Sequence, residues 1–434
     1  MNVRAGFVWV FGFATSASVA LASVERSPFP QPRLGRPAVA LTASAPVISL
    51  MPRARPAAQP PRRDGAFDTW LADFRRRAQE QGIRASTLDR AFAGVTPDAR
   101  VLERETNQPE FSRPIWEYLE SAVSQTRIDT GRRMLRDHAA VLEQIEARYN
   151  VDREVVVAVW GLESSYGRLR GTTRLIPALS ALAMGSRRAG FYEEQLIGAL
   201  RILQSGDVDP AHLVGSWAGA MGHTQFIPTS YLAYAVDFRG DGRRDIWSDD
   251  PTDSLASTAA YLAGHGWERG QPWGVEVRIP QGFNPRLANT RRDVAEWVAL
   301  GLTPRGEARL PNRGEATLLF PAGSRGPAIL AFQNFRTIKR YNNADSYAIA
   351  IGHLADRLRG AGPFQGTWPR DDRPLSRAER EELQRVLARA GLYDGAIDGR
   401  IGQGTLAAVR DWQAANGLAP DGYVSLALLT AMRR

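Results

Sequence analysis

Apolar side chains recur at helical spacing along most of the chain, and this pattern predicts a mainly helical fold. The first helix begins at Phe67, and the pair Ser86 and Asp89 resembles a capping box at the start of the second helix. A third helix carries an apolar stripe that includes one histidine, His138, which its apolar neighbours assign to the core. The stripe consists of Leu135, His138, Leu142, Ile145 and Tyr149.

One helical stretch, Val151–Gly171, carries a carboxylate on its apolar face. Asp152 is placed to cap the first turn of this helix. Glu163 follows Val159 by four residues and Trp160 by three, so it shares the face of side chains that should be buried. Burial disfavours the charged form of a carboxyl group and raises its pKa, as a general acid at neutral pH requires. The alternative is a solvated glutamate at a helix end.

Alternating apolar positions predict a few strands further along. Val275–Ile279 alternates as a strand does, and Ala316–Phe320 with Ala328–Phe332 predicts a hairpin. Helical spacing returns at Ser346–Leu358. The expected fold class is therefore mainly α (α+β), with a small β insertion in a helical domain.

Glycines and prolines divide the C-terminal part of the chain. We predict one catalytic domain at residues 65–360, a linker at residues 361–373, and a compact helical unit at residues 374–434.

The N-terminal residues follow another pattern. Arg4 precedes an apolar run that ends in Ala20–Leu21–Ala22, which is the layout of a secretory signal peptide over residues 1–22. Residues 23–64 are rich in proline and arginine and predict a disordered leader. No later run is apolar and long enough to cross a membrane. We therefore expect a protein exported to the periplasm, with no integral membrane segment in the mature chain.

Composition limits the classes of binding partner that the chain can have. The 434 residues carry a net charge of +9 and include no cysteine, which excludes disulfides, thiolate metal ligands and a lipid-modified N-terminal cysteine. A basic chain can bind nucleic acid, a membrane surface or an anionic polymer. Because an exported protein meets no nucleic acid, we exclude that partner. The chain is expected not to be a lipoprotein.

Two segments carry groups suited to binding a sugar. The segment Gly215–Gly222 is dense in small residues, which let backbone approach a ligand, and Ser216 and Gln225 can hydrogen-bond a carboxyl or a sugar. The segment Arg340–Asn343 combines aromatic and amide groups that can stack on sugar rings and bond to them. Ordinary packing explains each segment equally well, as a tight turn and a helix start respectively.

Together these segments resemble the lytic murein transglycosylase B family, which has a lysozyme-like fold. The resemblance extends from about Phe67 to Leu358 and is carried by several short motifs. The motifs are Trp160–Gly167, Ser186–Arg188, Gly219–Gly222, Thr224–Phe226 and Arg340–Asn343.

The resemblance implies roles for the matching residues. Glu163 would be the sole catalytic acid and base, and Ser216 would orient it. The residues that would line a glycan groove are Arg187, Arg188, Gln225, Tyr341, Asn342 and, as a weaker match, Tyr118. The implied partner is the glycan strand of peptidoglycan, and no protein partner follows.

The implied reaction uses one carboxylate, whereas ordinary retaining and inverting glycosidases use two. In a muramic-acid substrate, the N-acetyl oxygen can take the place of the second carboxylate by stabilising the developing cation. Glu163 would then act as base towards the C6 hydroxyl of the same sugar, which gives a 1,6-anhydromuramyl end. Two alternatives stay open: a lysozyme-type peptidoglycan hydrolase and a non-catalytic wall-binding scaffold.

The segment Asp237–Asp245 invites a calcium site, because oxygen ligands alternate along it and a glycine provides the turn. The candidate ligands are Asp237, Asp241 and Asp253, and some members of the family that the chain resembles bind calcium here. Arg239 stands where a side-chain oxygen is needed, so the sequence favours a loop tied by Asp–Arg pairs. We expect an enzyme that requires no cofactor.

Residues 374–434 resemble the peptidoglycan-binding type 1 domain, a small three-helix module. The resemblance is carried by the turns Asp398–Gly399 and Asp421–Gly422 and by the segment Val409–Gln413. Ser425 stands where that family commonly has a glycine. The resemblance implies attachment to the cell wall, and a capping module without a ligand is the alternative.

Overall fold

A computed structural model describes residues 65–106 and 113–434. The predicted signal peptide and leader, residues 1–22 and 23–64, lie outside the described residues. The first helices in the described part are α1 (Gly65–Glu80), α2 (Ala85–Phe92), α3 (Arg100–Thr106), α4 (Ile115–Ala122), α5 (Gln125–Asp137) and α6 (Ala139–Tyr149). They are followed by α7 (Arg153–Ser164), β1 (Thr173–Arg174), α8 (Leu175–Gly185), α9 (Ala189–Ser205), β2 (Val214–Gly215), α10 (Pro228–Tyr234) and α11 (Thr252–Gly264).

Strands dominate the next part of the chain. They are β3 (Gly274–Arg278), β4 (Arg291–Asp293), β5 (Thr303–Pro304), β6 (Glu315–Leu319) and β7 (Ala328–Ala331), with α12 (Val294–Ala299) between β4 and β5. The chain then returns to helices. These are α13 (Gln333–Tyr341), α14 (Asp345–Arg359), α15 (Arg377–Arg389), α16 (Gln403–Ala415) and α17 (Leu426–Met432).

Helix α7 lies at the centre of the helical domain, where α5, α6, α11 and α14 pack around it. Every residue from Val155 to Trp160 is buried, so the helix is apolar on all sides. A helix of this kind is stable only inside a core. Its C-terminal end leaves the core, and this places Glu163 at the boundary between the core and a surface groove.

Two local helix predictions are wrong. The stripe predicted as one helix is divided, because α5 ends before His138 and α6 begins after it. The ring of His138 packs edge-on against Trp160, with 5.5 Å between centroids. Ser86 does not cap α2: the N-cap is Arg84, whose backbone N–H donates to the side chain of Gln204 at 2.7 Å. A tertiary contact replaces the local cap.

Asp152 occupies the N-cap of α7, but its carboxylate is used differently from the prediction. It makes no hydrogen bond to the first turn. Instead it accepts from the indole Nε1 of Trp267 at 2.8 Å and pairs with Arg359 at 3.3 Å. The residue therefore joins α7 to α14 and to the segment that follows α11.

The predicted β insertion is a five-stranded antiparallel sheet with the strand order β4-β6-β7-β3-β5. β6 and β7 form the predicted hairpin, in which Leu318 lies opposite Leu330. Alternation turns Val277, Leu318 and Leu330 towards the fully buried Trp297 of α12. The insertion therefore has a hydrophobic cluster of its own, and the predicted mainly α (α+β) class is confirmed.

The C-terminal unit is a three-helix module around Leu383, Leu387 and Val409, as predicted. Ser425 begins α17, because its hydroxyl accepts from the backbone N–H of Leu428 at 3.3 Å. A serine at this position acts as a helix cap.

Candidate active site

The chain turns sharply where α7 ends. Residues 165–167 all have positive φ, and Tyr166, a non-glycine residue, has a φ of 60°. Its hydroxyl donates to the carbonyl of Arg127 at 2.8 Å, which holds the backbone in this conformation. At Gly167 a Cβ would lie 2.4 Å from the ring of His223, so only glycine is accommodated. The helix therefore stops directly after its last carboxylate.

That carboxylate, Glu163, has one hydrogen-bond partner in the described part of the chain. The hydroxyl of Tyr347, a buried residue of α14, donates to its Oε1 at 2.5 Å. Burial raises the pKa of Glu163 to about 7, and the hydrogen bond from Tyr347 opposes this shift by stabilising the charged form. The raised pKa expected from helical spacing is confirmed. Near neutral pH this carboxyl occurs in both protonation states.

Glu163 lines a groove of about 1090 Å³. It is the only carboxylate among the described residues that line this groove. The other charged residues there are Arg104, Arg127, Arg168 and Arg170. The aromatic residues are Tyr118, Trp217, Trp247 and Tyr347. Aromatic faces beside hydrogen-bond donors suit a sugar polymer that carries acidic groups.

The loop after β2 forms one wall of the groove and uses its polar groups internally. Ser216 Oγ accepts from the backbone N–H of Ala220 at 3.0 Å. Gln225 Nε2 donates to the carbonyls of Arg170 and Gly222, at 3.1 and 2.8 Å. These bonds fix the loop against the segment that follows α7.

His223 joins this loop to α7. The indole N–H of Trp160 donates to its Nδ1 at 3.1 Å, and its Nε2 lies 2.8 Å from the carbonyl oxygen of Ser248. This pattern assigns the ring proton to Nε2. Burial lowers the pKa of His223, which keeps the ring neutral. Arg170 donates to the carbonyls of Trp247 and Ser248, so the segment after α7 is also hydrogen-bonded to the segment that contains these two residues.

Three of the predicted binding residues line the groove together with Glu163, and they are Ser216, Gln225 and Tyr118. The predicted orienting contact differs, because no hydrogen bond within the described residues joins Ser216 to Glu163. Tyr347 makes that bond instead. Ser216 is held by its own loop, which explains why it does not reach the carboxylate here.

The other predicted binding residues are not among the described residues that line the groove, and they are Arg187, Arg188, Tyr341 and Asn342. Tyr341 is buried behind the site, where its hydroxyl donates to the carbonyl of Thr224 at 2.6 Å. Burial, with the nearby charge of Glu163 as a smaller cause, raises the pKa of Tyr341. Asn342 accepts from the backbone N–H of Ala344 at 3.1 Å, as a local turn residue does.

Arg187 and Arg188 lie in the turn between α8 and α9. The guanidinium of Arg188 stacks over the ring of Phe191, 4.2 Å from its centroid. Arg187 is exposed to solvent. Neither arginine is among the described residues that line the groove, where the family resemblance placed them.

Sequence reasoning missed Tyr347, Trp217, Trp247 and Arg104. Tyr347 and Trp217 lie in segments that the sequence had already marked, the helix Ser346–Leu358 and the small-residue loop, so their aromatic character was the available signal. Trp247 and Arg104 had no local signal. Each reaches the groove only through the packing of distant elements.

In the acidic loop, residues 237–253, the carboxylates interact with backbone N–H groups and with an arginine of the same loop. Asp237 accepts from the backbone N–H groups of Gly240, Asp241 and Gly242, between 2.7 and 3.1 Å. Asp253, which is fully buried, accepts from three backbone N–H groups as well. The guanidinium of Arg239 lies within 3.2–3.6 Å of four carboxylates. They belong to Asp241, Asp245, Asp250 and Asp253. Arg239 is therefore the counter-charge of this carboxylate cluster.

A mainly helical fold whose described residues place one desolvated carboxylate in an aromatic groove is typical of glycan-cleaving enzymes with a lysozyme-like architecture. Comparison with protein families specifies the class. Residues 66–356 match the transglycosylase SLT domain, and residues 376–432 match the putative peptidoglycan binding domain. The chain belongs to the transglycosylase SLT family, and the family prediction is confirmed.

Known relatives agree with this assignment. The chain is similar to the membrane-bound lytic murein transglycosylase B of Escherichia coli (strain K12), at 34% identity over 248 residues. That alignment covers 56% of this chain and 66% of the relative, which is just under two thirds of the relative's length.

Two solved structures extend the comparison. SltB3 from Pseudomonas aeruginosa, in complex with NAG-anhNAM-pentapeptide, is 50% identical and gives a TM-score of 0.81 over 85% of this chain and 99% of its own. The Escherichia coli lytic transglycosylase Slt35, in complex with calcium, is 29% identical with a TM-score of 0.57 over 68% and 93%. Two of these three relatives are named lytic transglycosylases, and with the family match they confirm the predicted enzyme class.

Among the helices in the described ranges, none combines the length and the apolar character that crossing a bilayer requires.

Proposed function

We propose that this chain cleaves the β-1,4 bond between MurNAc and GlcNAc in peptidoglycan by lytic transglycosylation, with Glu163 as acid and then base. One observation carries the proposal. Glu163 is the only carboxylate among the described residues lining the groove, and its pKa is about 7. Among the described residues, a mechanism that needs two carboxylates in the groove has no second one to use.

The steps follow from that single group. Protonated Glu163 gives its proton to the glycosidic oxygen, and the bond from C1 of MurNAc to that oxygen breaks. The substrate's N-acetyl oxygen stabilises the cation at C1. The carboxylate of Glu163 then takes the proton of the C6 hydroxyl, whose oxygen bonds to C1. No water is consumed, and Glu163 ends protonated, ready for the next cycle.

The surroundings of Glu163 suit both steps. Efficient proton transfer in either direction needs a pKa near the working pH, and about 7 meets that condition. The hydroxyl of Tyr347 donates to the carboxylate and stabilises its charged form between the two steps. Tyr347 is thereby the group that orients Glu163.

The groove offers features that suit the substrate. The rings of Trp217, Trp247 and Tyr118 can stack on sugar faces, and the arginines can pair with the carboxylates of stem peptides. The similarity to SltB3, whose solved complex contains NAG-anhNAM-pentapeptide, supports such a ligand. Ser216 and Gln225 remain proposed binding groups.

The organisation of the chain supports the same role. We divide the chain into a catalytic domain at residues 65–360, a linker at residues 361–373 and a wall-binding module at residues 374–434. The family matches at residues 66–356 and 376–432 support this division. The signal-peptide pattern at residues 1–22 and the peptidoglycan substrate support an exported protein acting in the periplasm.

We assign no calcium to the reaction, because Arg239 supplies the positive charge that the acidic loop needs. The chelator EDTA should therefore leave the melting temperature of the wild type unchanged, and added calcium should not raise it. Arg239→Asn should lower the melting temperature, since four carboxylates lose their counter-charge. A wild-type melting temperature that rises with added calcium would contradict this assignment.

The decisive experiment is mass spectrometry of products released from purified sacculi. Anhydromuramyl ends are lighter than reducing ends by one water molecule, and we expect the lighter form. Products with reducing ends only would refute transglycosylation in favour of a hydrolase. Absence of any soluble product from the wild type would favour the wall-binding scaffold.

A further inference from the structure

The segment predicted as a linker packs on the catalytic domain. Its residues 364–370 form what we call the strap. Phe364 stacks on the ring of His353 in α14, with centroids 4.3 Å apart. The backbone N–H groups of Gln365 and Gly366 donate to the carboxylate of Glu276, at 2.7 and 2.6 Å. The start of the strap is therefore fixed to both the helical domain and the β insertion.

The end of the strap packs on α4. The ring of Trp368 lies 6.4 Å from that of Trp116, which is only 3% exposed. Arg370 pairs with Glu120 one turn further along the same helix. Phe364 also contacts Trp368 edge-on at 5.8 Å, so the aromatic side chains form one continuous row from α14 to α4.

Two faces of helix α4 make different contacts, one with the strap and one with the groove. Trp116 and Glu120 are four residues apart and face the strap, whereas Tyr118, Ser121 and Ala122 line the groove. The charge of Glu163 contributes to the raised pKa of Tyr118, so the two groups are electrostatic neighbours. Whatever fixes the position of α4 fixes this wall of the groove.

A helix of eight residues cannot fix itself, because helices this short are unstable in water without packing partners. The strap supplies such a partner on the face away from the groove. It also contacts α14 at His353, and α14 is the helix that carries Tyr347. The two helices that bring Tyr118 and Tyr347 to the groove are therefore both in contact with the strap.

We propose that the strap is a functional part of the catalytic unit, in which Trp368 positions α4 and through it the Tyr118 wall of the groove. The proposal rests on the proposed function of Glu163. It places the functional boundary of the catalytic domain after residue 370, rather than at residue 360.

The test uses the full chain and two matched sets of variants. Trp368→Ala removes the contact with Trp116, and Trp368→Phe keeps an aromatic ring there. Arg370→Ala breaks the exposed ion pair with Glu120. Arg325→Ala breaks an equally exposed pair with Asp371, next to the strap but without contact to α4.

Two quantities are measured well below the melting temperature. The first is kcat/KM on a short soluble peptidoglycan fragment, with sacculus binding followed separately by sedimentation. The second is hydrogen exchange of the α4 amides. Trp368→Ala should lower kcat/KM roughly tenfold and speed α4 exchange, because a small displacement of a positioning group is costly. Trp368→Phe should restore both, and sacculus binding should stay unchanged.

The two ion-pair variants serve as controls for Trp368→Ala. Arg370→Ala should change kcat/KM by about twofold, as expected for an exposed pair, and Arg325→Ala should change neither quantity. The proposal is overturned if Trp368→Ala leaves either quantity unchanged, or if Arg325→Ala lowers kcat/KM equally. A wild type that cleaves nothing would refute the proposed function, and the exchange data would still decide whether the strap holds α4.

Discussion

Two glutamates at helix termini show how differently the two halves of the molecule use the same side chain. Glu163 ends α7 in the catalytic groove, and its pKa is raised to about 7 by burial. Glu379 lies in the first turn of α15 in the wall-binding module, and its pKa is lowered to about 2. Arg373 pairs with Glu379 through two nitrogens, and the backbone N–H of Ser376 donates to it at 2.8 Å.

The two carboxylates differ first in burial and then in the number of donors that each one meets. Glu163 meets one hydroxyl in a desolvated site, so ionisation is disfavoured and the group can carry a proton at neutral pH. Glu379 completes a capping box with Ser376 and is always charged at neutral pH. The first environment suits the proposed proton transfer, whereas the second serves stability.

The largest expected effect separates the two residues by activity. Glu163→Gln should reduce muropeptide release about a thousandfold, because the variant can neither donate nor accept the proton. Glu379→Gln should change release less than about twofold, since the cap touches no substrate. Release is measured by chromatography of soluble products. Equal activity of wild type and Glu163→Gln would end the role assigned to Glu163.

Substitution of the two glutamates should change the free energy of unfolding in opposite directions. The folded pKa of Glu163 is above its unfolded value, so its burial lowers stability as pH rises through 4.5 to 7. Glu163→Gln removes that cost and should stabilise the fold by up to about 3 kcal/mol at pH 8, with little effect at pH 4.

The folded pKa of Glu379 is depressed, so its contribution is complete above the unfolded value of 4.5 and is lost as pH falls towards 2. Glu379→Gln should therefore destabilise the module by about 1 kcal/mol at pH 7 and have little effect at pH 2. Thermal unfolding of both variants across this pH range checks that the two substitutions change stability in opposite directions. Parallel pH profiles would contradict the contrast.

The smallest effect sharpens the comparison at Glu163 itself. Tyr347→Phe removes the one hydrogen bond that the described residues donate to the carboxylate of Glu163, so the pKa of Glu163 should rise further. The alkaline limb of the kcat/KM profile should move to higher pH by about one unit, since this limb reports the essential acid. Tyr261→Phe is the control, because its hydroxyl donates to the carbonyl of Arg340 and not to Glu163. A limb that stays in place would exclude Tyr347 as the tuning group.

The sequence alone determined the elements whose periodicity is strong. The helix ending near Glu163 and the β6–β7 hairpin follow from spacing and turn residues, which are local properties. The three-helix module follows from its resemblance to a known family. Short motifs also determined the family and the one carboxylate on which the site depends. Local patterns could not fix helix ends held by distant partners, as Arg84 and Asp152 illustrate.

Only the tertiary structure decided what surrounds that carboxylate. Tyr347 reaches Glu163 from 184 residues further along the chain, and Trp247 reaches the groove through a cross-braced loop. The same packing keeps Tyr341 behind the site rather than in the groove. A pKa depends on burial and on the donors nearby, and neither is a property of adjacent residues. The sequence could therefore single out the proposed acid, and the fold determined its proton affinity.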